Sequence, residues 1–347
     1  MILLLKKLKK NFIVIGLILV MLLNFIFAVS HRIKNNSVAA SNETVYKTGF
    51  KKVAAEKDGN IIVEENNHFI RYSIYCNKNL EEINWQQKDS FMEVSLDKSK
   101  ISKLSFKDEK RQEDKNISYK EDKNNFTILL KQSFDKNNLI YTDKNNEKLL
   151  VVLLSKESNP FSHIVVLDPG HGAEDKGANY GDIYEKDINL KIANYTAEKL
   201  KFNGFKVVQT RNSDKLLSLK EVGNVTNEAS GDIFVSVHVN ENKESKYKGV
   251  TTYYYDPNGL QKEERIRLAK TIQQELIKSD NWTDRGILRQ NFAVLRYSTI
   301  PGVLLECGFL SNSEDRGKLV NDTVLQNFAQ NITNGVINYF AQEKTNN

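Results

Sequence analysis

From residue 163 onward, short β-branched apolar runs alternate with longer stretches of helical period, and this alternation constrains the fold more than anything else in the chain. Residues 164–167, 205–209, 233–237, 250–255, 293–295 and 303–305 read as strands, short and bounded by Gly, Pro, Asn or Asp. Between them run stripes at i/i+3/i+4 spacing. One comprises Ile188, Ile192, Ala193 and Leu200, and a second Leu260, Ile266, Ala269, Ile272 and Leu276. A closing stripe runs through Leu325, Phe328, Ala329, Ile332, Val336 and Phe340. Ser218 stands where a helix running toward Glu228 would be capped. The pattern predicts a three-layer αβα domain over residues 163–341, with a mostly parallel or mixed sheet.

Three of these strands run into reactive side chains. The first ends in Asp168-Pro169-Gly170-His171-Gly172, a sharp turn that leaves His171 just past the strand. The run 233–237 ends at His238, and the run 303–305 ends at Glu306. A Gly-rich loop separates His171 from Glu185, which opens the first helical stripe. In open α/β sheets ligands bind beyond the carboxyl ends of the strands, so these four side chains are free to converge. Two imidazoles and a carboxylate are the ligand inventory of a catalytic zinc site, with a fourth position left open. His171, Glu185 and His238 are therefore the expected ligands of Zn2+. Glu306, at the end of a hydrophobic strand, is the expected catalytic acid–base, because burial raises a carboxyl pKa toward the range useful for proton transfer.

The remaining histidines, His31, His68 and His163, read as non-ligands. Asp168 is expected either to orient His171 or to cap the turn. Asn240 is expected to hold the loop after His238. Glu174, Asp175 and Asp187 are rival carboxylates that spacing does not exclude. Cys307 follows Glu306, but no histidine is placed to activate it, so it reads as a small buried apolar residue. Cys76 and Cys307 are the two cysteines and fall in different predicted domains. They form neither a disulfide framework nor a C-x-x-C site.

The first half of the chain has a different texture. Lys6, Lys7, Lys9 and Lys10 precede an uncharged run over 12–29. That length and flanking charge fit a transmembrane signal anchor or a cleaved signal peptide ending near Ala28-Val29-Ser30, and either reading exports everything after about residue 30. These lysines supply four of the six net positive charges, so the basic balance makes no case for nucleic-acid binding. Residues 31–45 read as a polar tether. Residues 46–155 carry short runs, several of them alternating, separated by Asn, Asp and Lys clusters, which predicts a small antiparallel all-β domain. Within it, residues 97–125 are highly charged and read as a long exposed loop or hairpin, with Ile101, Leu104 and Phe106 packing inward. Residues 156–162, with Pro160, form the expected linker.

The motifs DPGHG, EKDINL, SVHVN and LLECGFLSN, in this order, resemble the zinc-dependent N-acetylmuramoyl-L-alanine amidases of the type 3 family over about residues 163–341. The resemblance implies zinc binding by His171, Glu185 and His238 and catalysis by Glu306. It implies an extracytoplasmic enzyme whose partner is peptidoglycan, held at the membrane if the N-terminal helix is uncleaved. It also implies cleavage between the lactyl group of N-acetylmuramic acid and L-alanine. The chain departs from the family at Ala173, usually Gly, at Val222, usually Arg, and at Thr226, usually Ala; Asn227 is kept. Between Tyr255 and Arg285 there is room for one ordinary helix, where some members insert an occluding helix that requires a protein activator. An open site is therefore expected, with residues 160–347 about as active as the full chain. Tyr253, Asn291 and Arg296 are candidate groove residues. The β domain resembles, by position and strand pattern, the AMIN-type wall-targeting domains. The alternatives are a non-catalytic wall-binding protein, a zinc peptidase acting within stem peptides, or a non-haem iron enzyme, whose ligands are usually closer together on a β barrel.

Overall fold

A computed structural model describes residues 59–106 and 116–343 of the chain. The expected signal or anchor segment, the tether and the start of the β domain lie outside the described residues. Among the described residues no helix is long and apolar enough to cross a membrane.

In the C-terminal half, six strands form one mixed sheet. These are β10 (His163–Pro169), β13 (Phe205–Gln209), β14 (Ile233–Asn240), β15 (Val250–Tyr254), β16 (Asp284–Arg289) and β17 (Gly302–Phe309). Their order is β13-β10-β14-β17-β15-β16. All neighbours are parallel except β15 and β17. The pleat sends alternate side chains to opposite faces. Val165, Leu167, Val235, Val237, Val303 and Leu305 pack on one side against α1 (Glu185–Phe202), α3 (Lys262–Leu276) and α6 (Asp322–Glu343). Val166, Phe234 and Leu304 pack on the other side with Val222 of α2 (Leu219–Glu228) and with Val294 and Leu295 of α4 (Ala293–Tyr297). Burial from both faces is why the central strands read as continuous apolar runs. A two-stranded ribbon, β11 (Asn179–Tyr180) with β12 (Ile183–Tyr184), leads into α1.

Local signals set the helix limits. Ser218 caps α2 in a capping box, accepting from Glu221 N while Glu221 bonds back to Ser218 N, an arrangement worth about 1 kcal/mol. After α1, Gly204 takes a left-handed φ of 79° that ends the helix.

Three expectations are corrected here. Residues 293–295 form a helix, α4, rather than a strand; three apolar residues cannot show a period, and Val294 and Leu295 bury together on the sheet while Arg296 is exposed. Leu260 lies outside α3 and is exposed. His238 and Glu306 do not terminate their strands, for β14 and β17 continue to Asn240 and Phe309 with a register shift after His238. The elements without an expectation include the β11–β12 ribbon, the charged edge strand β16 and α5 (Ser313–Leu319), which Asn312 caps.

The N-terminal half is a sandwich of two sheets. One has five strands, β1 (Asn60–Glu65), β2 (Phe69–Tyr75), β5 (Ser105–Phe106), β8 (Leu139–Thr142) and β9 (Leu149–Ser155). The other has four, β3 (Asn84–Gln87), β4 (Phe91–Asp97), β6 (Ile117–Glu121) and β7 (Asn125–Lys131). The orders are β5-β1-β2-β9-β8 and β3-β4-β7-β6. All pairs are antiparallel except β1 with β5. Tyr72, Ile74, Val152 and Leu154 of one sheet meet Met92, Val94, Ile128 and Leu130 of the other. In the charged stretch 97–125, Ile101 is buried and Leu104 half-buried, while residues 117–121 hairpin onto β7 as a strand.

β2 and β9 are buried on both faces, unlike β4 and β7, which alternate. The reason is an apolar cover. Phe69, Tyr75, Leu149, Val151 and Leu153 form a second cluster with Phe202 at the end of α1 and with Phe161 of the expected linker. Asn66 donates to Phe202 O at 2.7 Å, and Asn145 donates to Lys191 O at 3.0 Å. The sandwich is thus packed directly on the helix that begins with Glu185.

Candidate metal centre and active site

His171 follows the β10 turn with a left-handed φ of 64°. Two glycines allow the surrounding backbone to approach the site closely. A Cβ on Gly170 would lie 2.1 Å from the His238 ring, and one on Gly177 would lie 2.4 Å from Glu185 Oε2. Only a residue without a side chain fits at either point.

The result is a compact cluster. Glu185 Oε1 lies 3.3 Å from His171 Nε2 and 3.0 Å from His238 Nδ1. One donor atom from each residue falls within 4.8 Å of the others. The carboxylate is held by backbone, with Val239 N donating to Oε1 at 2.9 Å and Ala178 N to Oε2 at 2.7 Å. His171 Nδ1 bonds Asp175 Oδ2 at 2.8 Å, which leaves Nε2 directed at Glu185. Glu306 stands opposite His238 across β14 and β17, and its Oε2 is out of solvent with no hydrogen-bond partner among the described residues.

The electrostatics favour a cation at this point. Burial opposes a charged His171, but the Glu185 and Asp175 carboxylates outweigh it and lift its pKa to about 9. Burial likewise opposes a charged His238, yet Glu185 raises it. Burial would neutralise Glu185, but the two imidazoles hold it well below the usual carboxylate range. Glu306 is pushed up to about 7, first by burial and then by Glu185, against the pull of His238. Tetrahedral zinc with bonds of about 2.0–2.1 Å places its donors roughly 3.3 Å apart, so the spacing and donor types found here suit that ion.

The cluster lies at the floor of an open cleft of about 320 Å³ with walls that include Asn240, Glu241, Phe292 and Leu304. Of the candidate groove residues, Tyr253 backs the wall by an edge-on contact with Phe292 at 5.1 Å, and Asn291 and Arg296 are bonded to each other. None of the three lines the cleft. Phe292 does, and it has neither a motif nor a periodic neighbour to reveal it in the sequence. Asn240 holds its loop through the backbone, accepting from Leu310 N.

Asp168 takes neither expected role. Its oxygens accept from Thr210 Oγ1 and Ser236 Oγ, both at 2.7 Å, and so tie β10 to its neighbours. Asp175 orients His171 instead. Glu174 and Asp187 are exposed and outside the cluster. His68 bonds Glu157, His163 stacks on Phe340, and His31 lies outside the described residues. Cys76 and Cys307 are both buried and outside any disulfide, and burial raises the Cys307 pKa, which suppresses nucleophilicity. Ala173 has φ 47°, which accounts for the glycine usual there, and Val222 and Thr226 are buried in helix packing. Asn227 bonds the backbone of Tyr297 and Thr299.

Comparison with known proteins agrees with this architecture. The family model described as N-acetylmuramoyl-L-alanine amidase matches residues 165–338, half of the chain. The uncharacterized protein YqiI of Bacillus subtilis is 39% identical over 178 residues, covering 51% of this chain and 85% of that protein. The N-acetylmuramoyl-L-alanine amidase LytC of Bacillus subtilis is 36% identical over 176 residues, 51% of this chain and only 35% of LytC. Among solved structures, an N-acetylmuramoyl-L-alanine amidase from Clostridium difficile 630 superposes with a TM-score of 0.50 at 36% identity, covering 53% of this chain and 98% of that one. The chain is an enzyme of the N-acetylmuramoyl-L-alanine amidase family.

Proposed function

We propose that the protein is an exported zinc hydrolase that cleaves the amide between N-acetylmuramic acid and L-alanine in peptidoglycan. The observation that carries this reading is the convergence of His171, Glu185 and His238 on one point, beside Glu306, whose Oε2 has no partner among the described residues. Export rests on the lysine-rich start and the uncharged run over 12–29. The β domain, which precedes the catalytic sheet, is read as its wall-targeting module.

When bound, Zn2+ supplies Lewis acidity toward water and the scissile carbonyl. The chain's own groups do the rest. Asp175 and the backbone donors to Glu185 hold the ligands in place before substrate arrives. Glu306, with a pKa of about 7, takes the proton of the attacking water and passes it to the departing nitrogen of L-alanine. Its free Oε2 leaves that oxygen available to both partners. The open cleft admits a glycan strand bearing peptides, and Phe292 offers apolar surface beside the reacting bond.

The test is mass spectrometry of fragments released from purified peptidoglycan by residues 31–347 with zinc, beside Glu306→Gln. Free stem peptides that begin at L-alanine, with intact glycan strands, are expected from the parent protein and not from the variant. Shortened stems still joined to sugar would make this a peptidase instead.

A further inference from the structure

Arg211 lies two residues beyond β13, is only 5% exposed, and gives its guanidinium to backbone carbonyls. Nε donates to Pro169 O at 2.8 Å, and Nη2 donates to both Gly170 O and Lys186 O at 2.9 Å. Nη1 donates to Ser213 O at 3.1 Å. Asp168, Asp214 and Asp187 act on it only from a distance, and burial lowers its pKa. Burying a cation among neutral acceptors costs desolvation free energy, which points to a use for the geometry it imposes.

The acceptors identify the use. Pro169 and Gly170 lead directly into His171, and Lys186 follows Glu185. One rigid planar fork therefore joins the two backbone segments that carry the first two residues of the cluster. Asn189, fully buried one turn along α1, repeats the link, donating at 3.2 Å to both Gly170 O and Glu185 Oε1. Gly170 N in turn donates to Val237 O, beside His238. A lysine could offer three donors from one point but could not span the same carbonyls.

Resting on the metal reading above, we propose that Arg211, seconded by Asn189, is a positioning residue that sets the spacing of His171 and Glu185 for the metal ion. It touches neither ion nor substrate. Its effect should appear as metal affinity and coordination geometry, separate from the stability of the metal-free fold.

The experiment compares wild type, Arg211→Lys and Asn189→Ala in three measurements on the full protein. These are the thermal midpoint of the metal-free form, Zn2+ affinity by chelator competition, and the visible absorption of the Co2+-substituted site. Arg211→Lys is expected to bind Zn2+ about 10–100-fold more weakly and to show an altered Co2+ spectrum, with a smaller affinity loss for Asn189→Ala. Wild-type affinity and an unchanged Co2+ spectrum in Arg211→Lys would overturn the proposal, whatever the thermal midpoint. Should that variant not fold, Asn189→Ala carries the test, and unchanged affinity there overturns it equally. A wild-type protein that binds neither metal would remove the metal reading itself and this proposal with it.

Discussion

Replacing Phe202 by Ala tests whether the sandwich and the catalytic sheet are energetically one body. Phe202 ends α1 and is 4% exposed among Phe69, Tyr75, Leu149, Val151 and Leu153 of β2 and β9. Removing a buried ring costs about 3–5 kcal/mol, from lost transfer free energy and the cavity left behind. The lower end, about 3 kcal/mol, applies if β2 and α1 relax together, and it corresponds to a fall of roughly 6–12 °C in thermal midpoint. The two tryptophans make the assay specific, because Trp85 lies in the sandwich and Trp282 in the catalytic core. Urea unfolding should show both environments melting together in the parent, by fluorescence of single-tryptophan variants. In Phe202→Ala both midpoints should fall. A loss below about 1 kcal/mol, or a fall confined to the Trp85 signal, would refute the reasoning. The same interface bears on truncation. Cutting at residue 160 uncovers Phe202 and the buried Glu198 and Lys199, so the isolated residues 160–347 should be less stable than the whole and lose activity sooner on warming.

Three further outcomes are expected. Glu306→Gln should lower peptide release about 10²–10⁴-fold while retaining Zn2+ affinity within a few-fold, measured by mass spectrometry and chelator competition; a variant that still turns over at the parent rate would remove Glu306 from the reaction. Gly170→Ala should abolish metal binding with its circular dichroism preserved, because the added methyl would meet the His238 ring at 2.1 Å. Lys199 has its pKa lowered to about 8, first by burial and then by Arg71. Between about 8 and the usual lysine value the unfolded chain binds the extra proton, so the destabilisation present below pH 8 is relieved as pH rises through that window. Stability measured by urea should therefore rise from pH 8 toward 10 by more in the parent than in Lys199→Met; equal slopes would contradict the assignment.

Much of the candidate site could be read from residue order alone. His171, Glu185, His238 and Glu306 each sit next to a dense β-branched run or a helix start, and such runs announce themselves because central strands are buried on both faces. The cap at Ser218 was equally readable, since capping is local chemistry, while the reciprocal bond from Glu221 came only with the structure. Elements lacking such local contrast escaped. Residues 293–295 are too few to show a period, and the charged edge strand β16 has little buried surface to enforce one.

What only the tertiary structure decided has a common physical origin, in contacts between residues far apart in the chain. Asp168 is not free to orient His171, because β10 lends it to the distant Thr210 and Ser236, and that task falls to the nearby Asp175. Arg211 reaches carbonyls some forty positions away, and carbonyls carry no side-chain signature. Phe292 enters the cleft only because β16 and β17 bring its loop there. The continuous apolar run of β9 can be read in the sequence, whereas β2, with Arg71 and Ser73 between its apolar residues, reads as alternating; their shared cover, Phe202, lies in the other half of the protein. The sequence by itself determined the chemistry available and the elements that carry it. The spacing of that chemistry depended on long-range packing, whose partners no local pattern encodes.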